Sequence, residues 1–169
     1  MNIHALIPRV FFSLMLSAAS FQLLYAASGD PVEVEADQLD IDQNAGTAVY
    51  SGDVRIRQGD LHINGARVEI QRNANGELSR AIATGDRAYI RNRFENQEGI
   101  TEGQARRITY HVAERRVELI DRAELSQGGD RFTGGKLEYF IDRGVVQARS
   151  DVEGSENQRI RMTLQPEQQ

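Results

Sequence analysis

Residues 49–70, VYSGDVRIRQGDLHINGARVEI, alternate apolar and polar side chains almost without interruption. Successive side chains on a strand point to opposite faces, so this run has one apolar face and one polar face. Similar runs recur about every ten to twelve residues, the spacing of short strands in an all-β domain. They cover 32–36, 38–42, 46–52, 53–58, 61–72, 78–85, 87–92, 99–112, 115–127, 131–141, 144–152 and 159–164. Turn-forming segments separate them: QNAG, QGD, RNANGE, NQEG, QGGD and IDRG. Helix signals are weak everywhere after the first 26 residues. The pattern predicts an all-β sandwich, barrel or roll.

The pattern also repeats. A shift of 69 residues overlays the chain on itself without a gap: Ile56 meets Leu125, Gly59 meets Gly128, Ile63 meets Phe132, Gly65 meets Gly134, and VEI (68–70) meets LEY (137–139). A shorter echo opens strands with GDVRI at 52, GDRAYI at 85 and DRAEL at 121. A unit this small cannot bury its own apolar face, so neighbouring units must complete each other's core, as in solenoids.

The first 26 residues read as a signal peptide, with one charge at Arg9, the apolar run VFFSLMLSAASFQLL and small residues near a cleavage point between 26 and 28. The run is short for a membrane span, which needs about 20 apolar residues. The remainder predicts a single domain over 31–166 and a frayed tail at 167–169. Without the leader, 19 basic residues (20 less Arg9) face 25 acidic ones, a net charge of −6. That balance argues against broad nucleic-acid binding. The chain has no cysteine, which removes thiol nucleophiles, thiolate metal sites and disulfides.

No catalytic set emerges. His62 and His111, the only histidines after the leader, fall on the outward side of strands and are expected to be solvated. Asp37, Asp40 and Asp42 stand near a glycine but lack the order and closing Glu of a calcium loop. GARVEIQRNANG lacks the GK[ST] ending of a phosphate loop. The expectation is a binding or structural module, not an enzyme, with no cofactor and no metal.

Four segments carry a resemblance: VEADQL (34–39), YSGDVxIxQG (50–59), EGxAxxIxY (102–110) and the closing IRMTLQP (160–166). In this order, behind a signal peptide, they resemble the OstA-like family, and within it the soluble LptA-type periplasmic bridge of lipopolysaccharide transport. The resemblance covers about 31–166. It implies a β-jellyroll or β-taco, two antiparallel sheets in a V with open ends. It implies a carrier that holds lipid A acyl chains in an apolar groove. The implied partners are lipopolysaccharide, an inner-membrane LptC-type protein at the first strand and an outer-membrane LptD-type protein at the last. Head-to-tail self-association is implied as well.

The family's groove positions fall on Val32, Val34, Ile90, Tyr110 and Val112. Strand parity extends the inner face to Tyr50, Val54, Ile56, Ile63 and Ile82, and then to Leu119, Leu125, Phe132, Leu137 and Tyr139. Arg72 falls on a basic position near the groove mouth and is a candidate phosphate contact. Three alternatives remain at this level. They are a membrane-anchored LptC-like relative, an exported β-sandwich scaffold without a lipid groove, and a secreted polysaccharide-active enzyme on a β-roll.

Overall fold

A computed structural model describes residues 30–94, 99–151 and 158–166. The predicted leader and tail lie outside the described residues. Ten strands make up the fold: β1 (Glu33–Glu35), β2 (Gln38–Asp42), β3 (Thr47–Gln58), β4 (Leu61–Arg72), β5 (Leu78–Asn92), β6 (Thr101–His111), β7 (Arg116–Gln127), β8 (Asp130–Phe140), β9 (Val145–Arg149) and β10 (Arg161–Thr163). They pair antiparallel in the order β1-β3-β4-β5-β6-β7-β8-β10, with β2 also on β3 and β9 also on β8. The central strands form a simple meander. The 69-residue echo therefore marks the hairpins β3–β4 and β7–β8, which lie in one sheet with β5 and β6 between them and are not coils of a solenoid.

Two pairs of predicted strands are each one long strand. The junctions between them, at 52–53 and near 85, are corners inside β3 and β5. The pairing register breaks between Ser51 and Val54, Asn64 and Arg67, Thr84 and Ala88, Gln104 and Arg107, and Ile120 and Ala123. These bulges line up into a crease across the sheet. Bulges bend strands, and a row of them folds the sheet back on itself. The expected two sheets are thus the two halves of one creased sheet. The first half takes β1, the Val54–Gln58 end of β3 and β10; the second takes β2, the Thr47–Ser51 end of β3 and β9.

The backbone at the crease explains the GD and DR echo. Gly52 and Asp53 adopt φ of 83° and 40°, and Asp121 and Arg122 adopt 64° and 54°. Such left-handed pairs turn the corner in β3 and β7 and preserve side-chain parity: Tyr50 and Val54 face inward, as do Leu119 and Ala123. In β5, Ala81 and Ala83 face inward before the corner and Ala88 and Ile90 after it, so parity flips.

The core lies between the two halves. Val54, Val68, Leu119, Leu137, Tyr139 and Ile141 are fully buried there. The halves meet closely at Gly103, where an added Cβ would sit 2.8 Å from Leu119 Cδ2 on the opposite half. A glycine at that point lets the layers approach.

Candidate functional site

Each half presents an unbroken apolar row. In the first, cross-strand register runs Val34, Ile56, Ile63, Ile90, Gly103, Leu125, Phe132, Met162. In the second it runs Leu39, Tyr50, Val68, Ala83, Ile108, Leu119, Leu137, Ala148. Both rows are buried over the middle strands and open at the ends. Val32, Leu39 and Ile41 are 58%, 50% and 60% exposed at one end, and Ile160, Met162 and Leu164 are 49%, 58% and 57% exposed at the other. Large apolar side chains facing inward yet exposed mark a surface awaiting an apolar neighbour.

Of the residues singled out from the sequence, Val54, Ile56, Ile63, Ile90, Leu119, Leu125, Leu137 and Tyr139 are buried between the halves. Val34, Tyr50, Tyr110 and Phe132 are partly buried against them. Val32 lies just ahead of β1, exposed. Two placements differ from expectation. Ile82 is on the outer face, paired with Glu69 and Thr109, because the β5 corner flips parity between Ile82 and Ile90. Val112 lies beyond β6 in the turn to β7, where its carbonyl accepts from the Arg115 N–H.

Phe94 was hidden by its setting in the polar segment NRFENQEG. It is 6% exposed, and its ring centroid lies 6.5 Å from Tyr110 and 6.0 Å from Tyr139. A lone large aromatic in a charged loop was the available signal. Tyr139 reaches across the interior from the second half, and its hydroxyl accepts from Gln127 Nε2 of the first at 2.9 Å. Burial raises the Tyr139 pKa above the ordinary tyrosine value. Phe94 and Tyr139 together tie the halves at the side away from the crease.

At the β2 end, a cleft of about 680 Å³ opens between the β2–β3 and β4–β5 turns. Its apolar wall is Ile41, Ala48 and Tyr50; its polar wall includes Arg72 and Asn73. Arg72 is exposed, and its backbone N–H donates to the Gly46 carbonyl. Asp42 accepts from the Asn44 and Ala45 N–H groups, which explains its place before the turn without a metal.

The outer face of the second half carries an ion-pair ladder. Arg116 Nη1 lies 2.9 Å from Glu138 and 3.4 Å from Glu118, and Lys136 Nζ lies 2.6 Å from Glu118. His111 is at the margin of this ladder, its side chain only 15% exposed, and its Nε2 is buried without a hydrogen bond among the described residues. The expected solvated imidazole is therefore a covered one. Its pKa is lowered by burial first and by the Arg116 charge second.

Comparison with known proteins agrees with this geometry. The family model for the LptA/(LptD N-terminal domain) LPS transport protein matches residues 33–145. The lipopolysaccharide export system protein LptH of Pseudomonas aeruginosa is 33% identical over 139 residues, 80% of this chain and 79% of that protein. LptA of Escherichia coli K12 is 27% identical over 148 residues, 85% of this chain and 77% of that protein. The crystal structure of Pseudomonas aeruginosa LptH, described as the LptA homologous periplasmic component of the lipopolysaccharide transport device, superposes with a TM-score of 0.70 at 34% identity, covering 81% of this chain and 96% of that one. With the β-jellyroll fold and the continuous apolar interior, these matches show that the chain belongs to the LptA/LptD N-terminal family of lipopolysaccharide transport proteins.

Proposed function

We propose that this protein is a periplasmic lipopolysaccharide carrier. The observation that carries the reading is the pair of apolar rows that cross both halves of the sheet and emerge, still apolar, at both ends. Acyl chains enter between the halves and displace the contacts of the Phe94 and Tyr139 tie. Burying each methylene contributes about 0.8 kcal/mol, so a fully buried chain of a dozen carbons would hold on with roughly 10 kcal/mol. A carrier that must release its cargo therefore buries only part of each chain. Transfer between similar grooves is then nearly neutral in free energy, and direction comes from work done elsewhere.

Arg72, beside the apolar wall of the β2-end cleft, suits the lipid A phosphates as a charge-assisted donor. The strand ends serve the neighbours: an inner-membrane LptC-type protein at β1 and β2, an outer-membrane LptD-type protein at β9 and β10, and further copies of the chain end to end. Unpaired sheet edges support such addition. No chemistry is assigned to the site, and the described interior carries no paired acid, base and nucleophile.

The test is photo-crosslinking to lipopolysaccharide from Ile90 and Tyr110, together with binding by Leu39→Arg and Ile41→Arg. Those two side chains are exposed, so charging them leaves the fold intact. Crosslinks from both interior positions and weakened binding by both variants are expected. Crosslinks only from outer-face positions such as Ile82 would overturn the carrier reading.

A further inference from the structure

The apolar interior has one polar rim. On the side away from the crease, Asn92, Thr101 and Gln127 of the first half stand on β5, β6 and β7 in direct cross-strand register. Each lies two residues from a member of the apolar row, Ile90, Gly103 or Leu125, so strand parity turns it inward. The facing rim of the second half carries Tyr110, Val117 and Tyr139, also in register. One rim is amide and hydroxyl; the other is aromatic and aliphatic.

These polar groups are covered. Thr101 is 5% exposed and Tyr139 is fully buried. Thr109 and Asp121 are the other buried polar or charged residues among the described residues, and they lie on the outer face and at the crease. The Tyr139 hydroxyl accepts from Gln127 Nε2, and the Thr101 hydroxyl is a second hydrogen-bonding neighbour of the same oxygen. In the closed molecule the rim groups satisfy one another across the gap.

Cargo breaks that arrangement. An acyl chain entering between the halves parts Tyr139 from Gln127 and Thr101. Plain hydrocarbon in that gap leaves a phenol, an amide and a hydroxyl buried without their partners, which is costly. A chain that carries an oxygen at this depth restores the lost bonds. The rim is where a chain leaves the groove for its headgroup, so the oxygen belongs within a few atoms of the chain's root.

We propose that Thr101, Gln127 and Tyr139 determine cargo specificity by selecting acyl chains that bear a hydroxyl close to the headgroup. The inference rests on the carrier reading above and names a chemical feature of the cargo. The cargo hydroxyl inserts into the opened tie, accepting from Gln127 Nε2 and donating to the Tyr139 oxygen. A carbonyl oxygen only accepts and so satisfies one side of the tie. Hydroxyl-bearing chains are favoured for that reason.

Displacement of an apolar fluorescent probe from the purified protein tests this, with 3-hydroxytetradecanoate and tetradecanoate as competitors. The two acids differ by one hydroxyl. The wild type should bind the hydroxy acid about tenfold more tightly, as expected where one ligand pairs buried polar groups and the other leaves them unpaired. Tyr139→Phe should reduce that preference to about twofold. It should also bind tetradecanoate more tightly than the wild type does, because no tie has to be broken. Gln127→Leu should lose the preference in the same way. Equal binding of the two acids by the wild type would overturn the inference, as would a preference retained in both variants. Weaker binding of both acids alike in both variants would show a merely structural role and would also overturn it. If neither acid displaces the probe from the wild type, the groove does not take acyl chains, and the carrier reading falls together with this inference.

Discussion

Phe94 shows how much one side chain can decide. From the β5–β6 connection it enters between the two halves and covers Tyr110 and Tyr139. Phe94→Ala should cost about 3 kcal/mol by urea unfolding, in the range for a deleted buried aromatic. It should also raise uptake of an apolar fluorescent probe by the native protein. Phe94→Leu, closer in volume, should cost less than about 1.5 kcal/mol. His111 offers a pH test. Burial and Arg116 hold its pKa below the ordinary 6.5, so the folded state binds the proton less readily than the unfolded chain. Its contribution to stability is full above pH 6.5 and is lost as the pH falls from there through the lower folded value. Urea midpoints measured across that range should fall with pH in the wild type and flatten in His111→Gln.

At the scale of elements, the crease separates what local pattern encodes from what pairing encodes. Alternation was legible along every strand, and the ends of β2, β4 and the β3–β4 turn are where the spacing put them. Ile82 faces out although Ile90 faces in, because a bulge between them flips parity along β5, and a bulge is a property of two paired strands. Asp53, with φ of 40°, turns the β3 corner. A β-branched residue fits that backbone badly, whereas glycine adopts it freely. Asp53→Val should destabilise the fold by about 1–2 kcal/mol, of the order of a strained backbone position. Asp53→Gly should be close to neutral. Thermal or urea unfolding of the two variants distinguishes a backbone role from the loss of the Asp53–Arg55 ion pair, which both variants share.

The whole molecule is a sheet with a finished middle and unfinished ends. Over β4 to β8 each strand pairs on both sides and its inner residues are buried. β1, β2, β9 and β10 pair on one side only and expose apolar side chains. Stability should be distributed in the same way. Amide hydrogen exchange is expected to be slowest in β6 and β7 and fast in β1 and β10. Protection of the two ends should rise together as protein concentration increases. Protection that rises at one end only would point to a contact between like ends.

The sequence by itself determined the all-β class, the inward apolar set of most strands and the family, because alternation, turn residues and ordered motifs are local. The tertiary structure decided that the GD segments read as strand openings are corners inside longer strands, that Ile82 faces out and Phe94 in, and that His111 is covered. It also decided that the two exposed apolar ends stand at opposite edges of one creased sheet. Those facts depend on which strands pair and in what register, and only the assembled sheet fixes that.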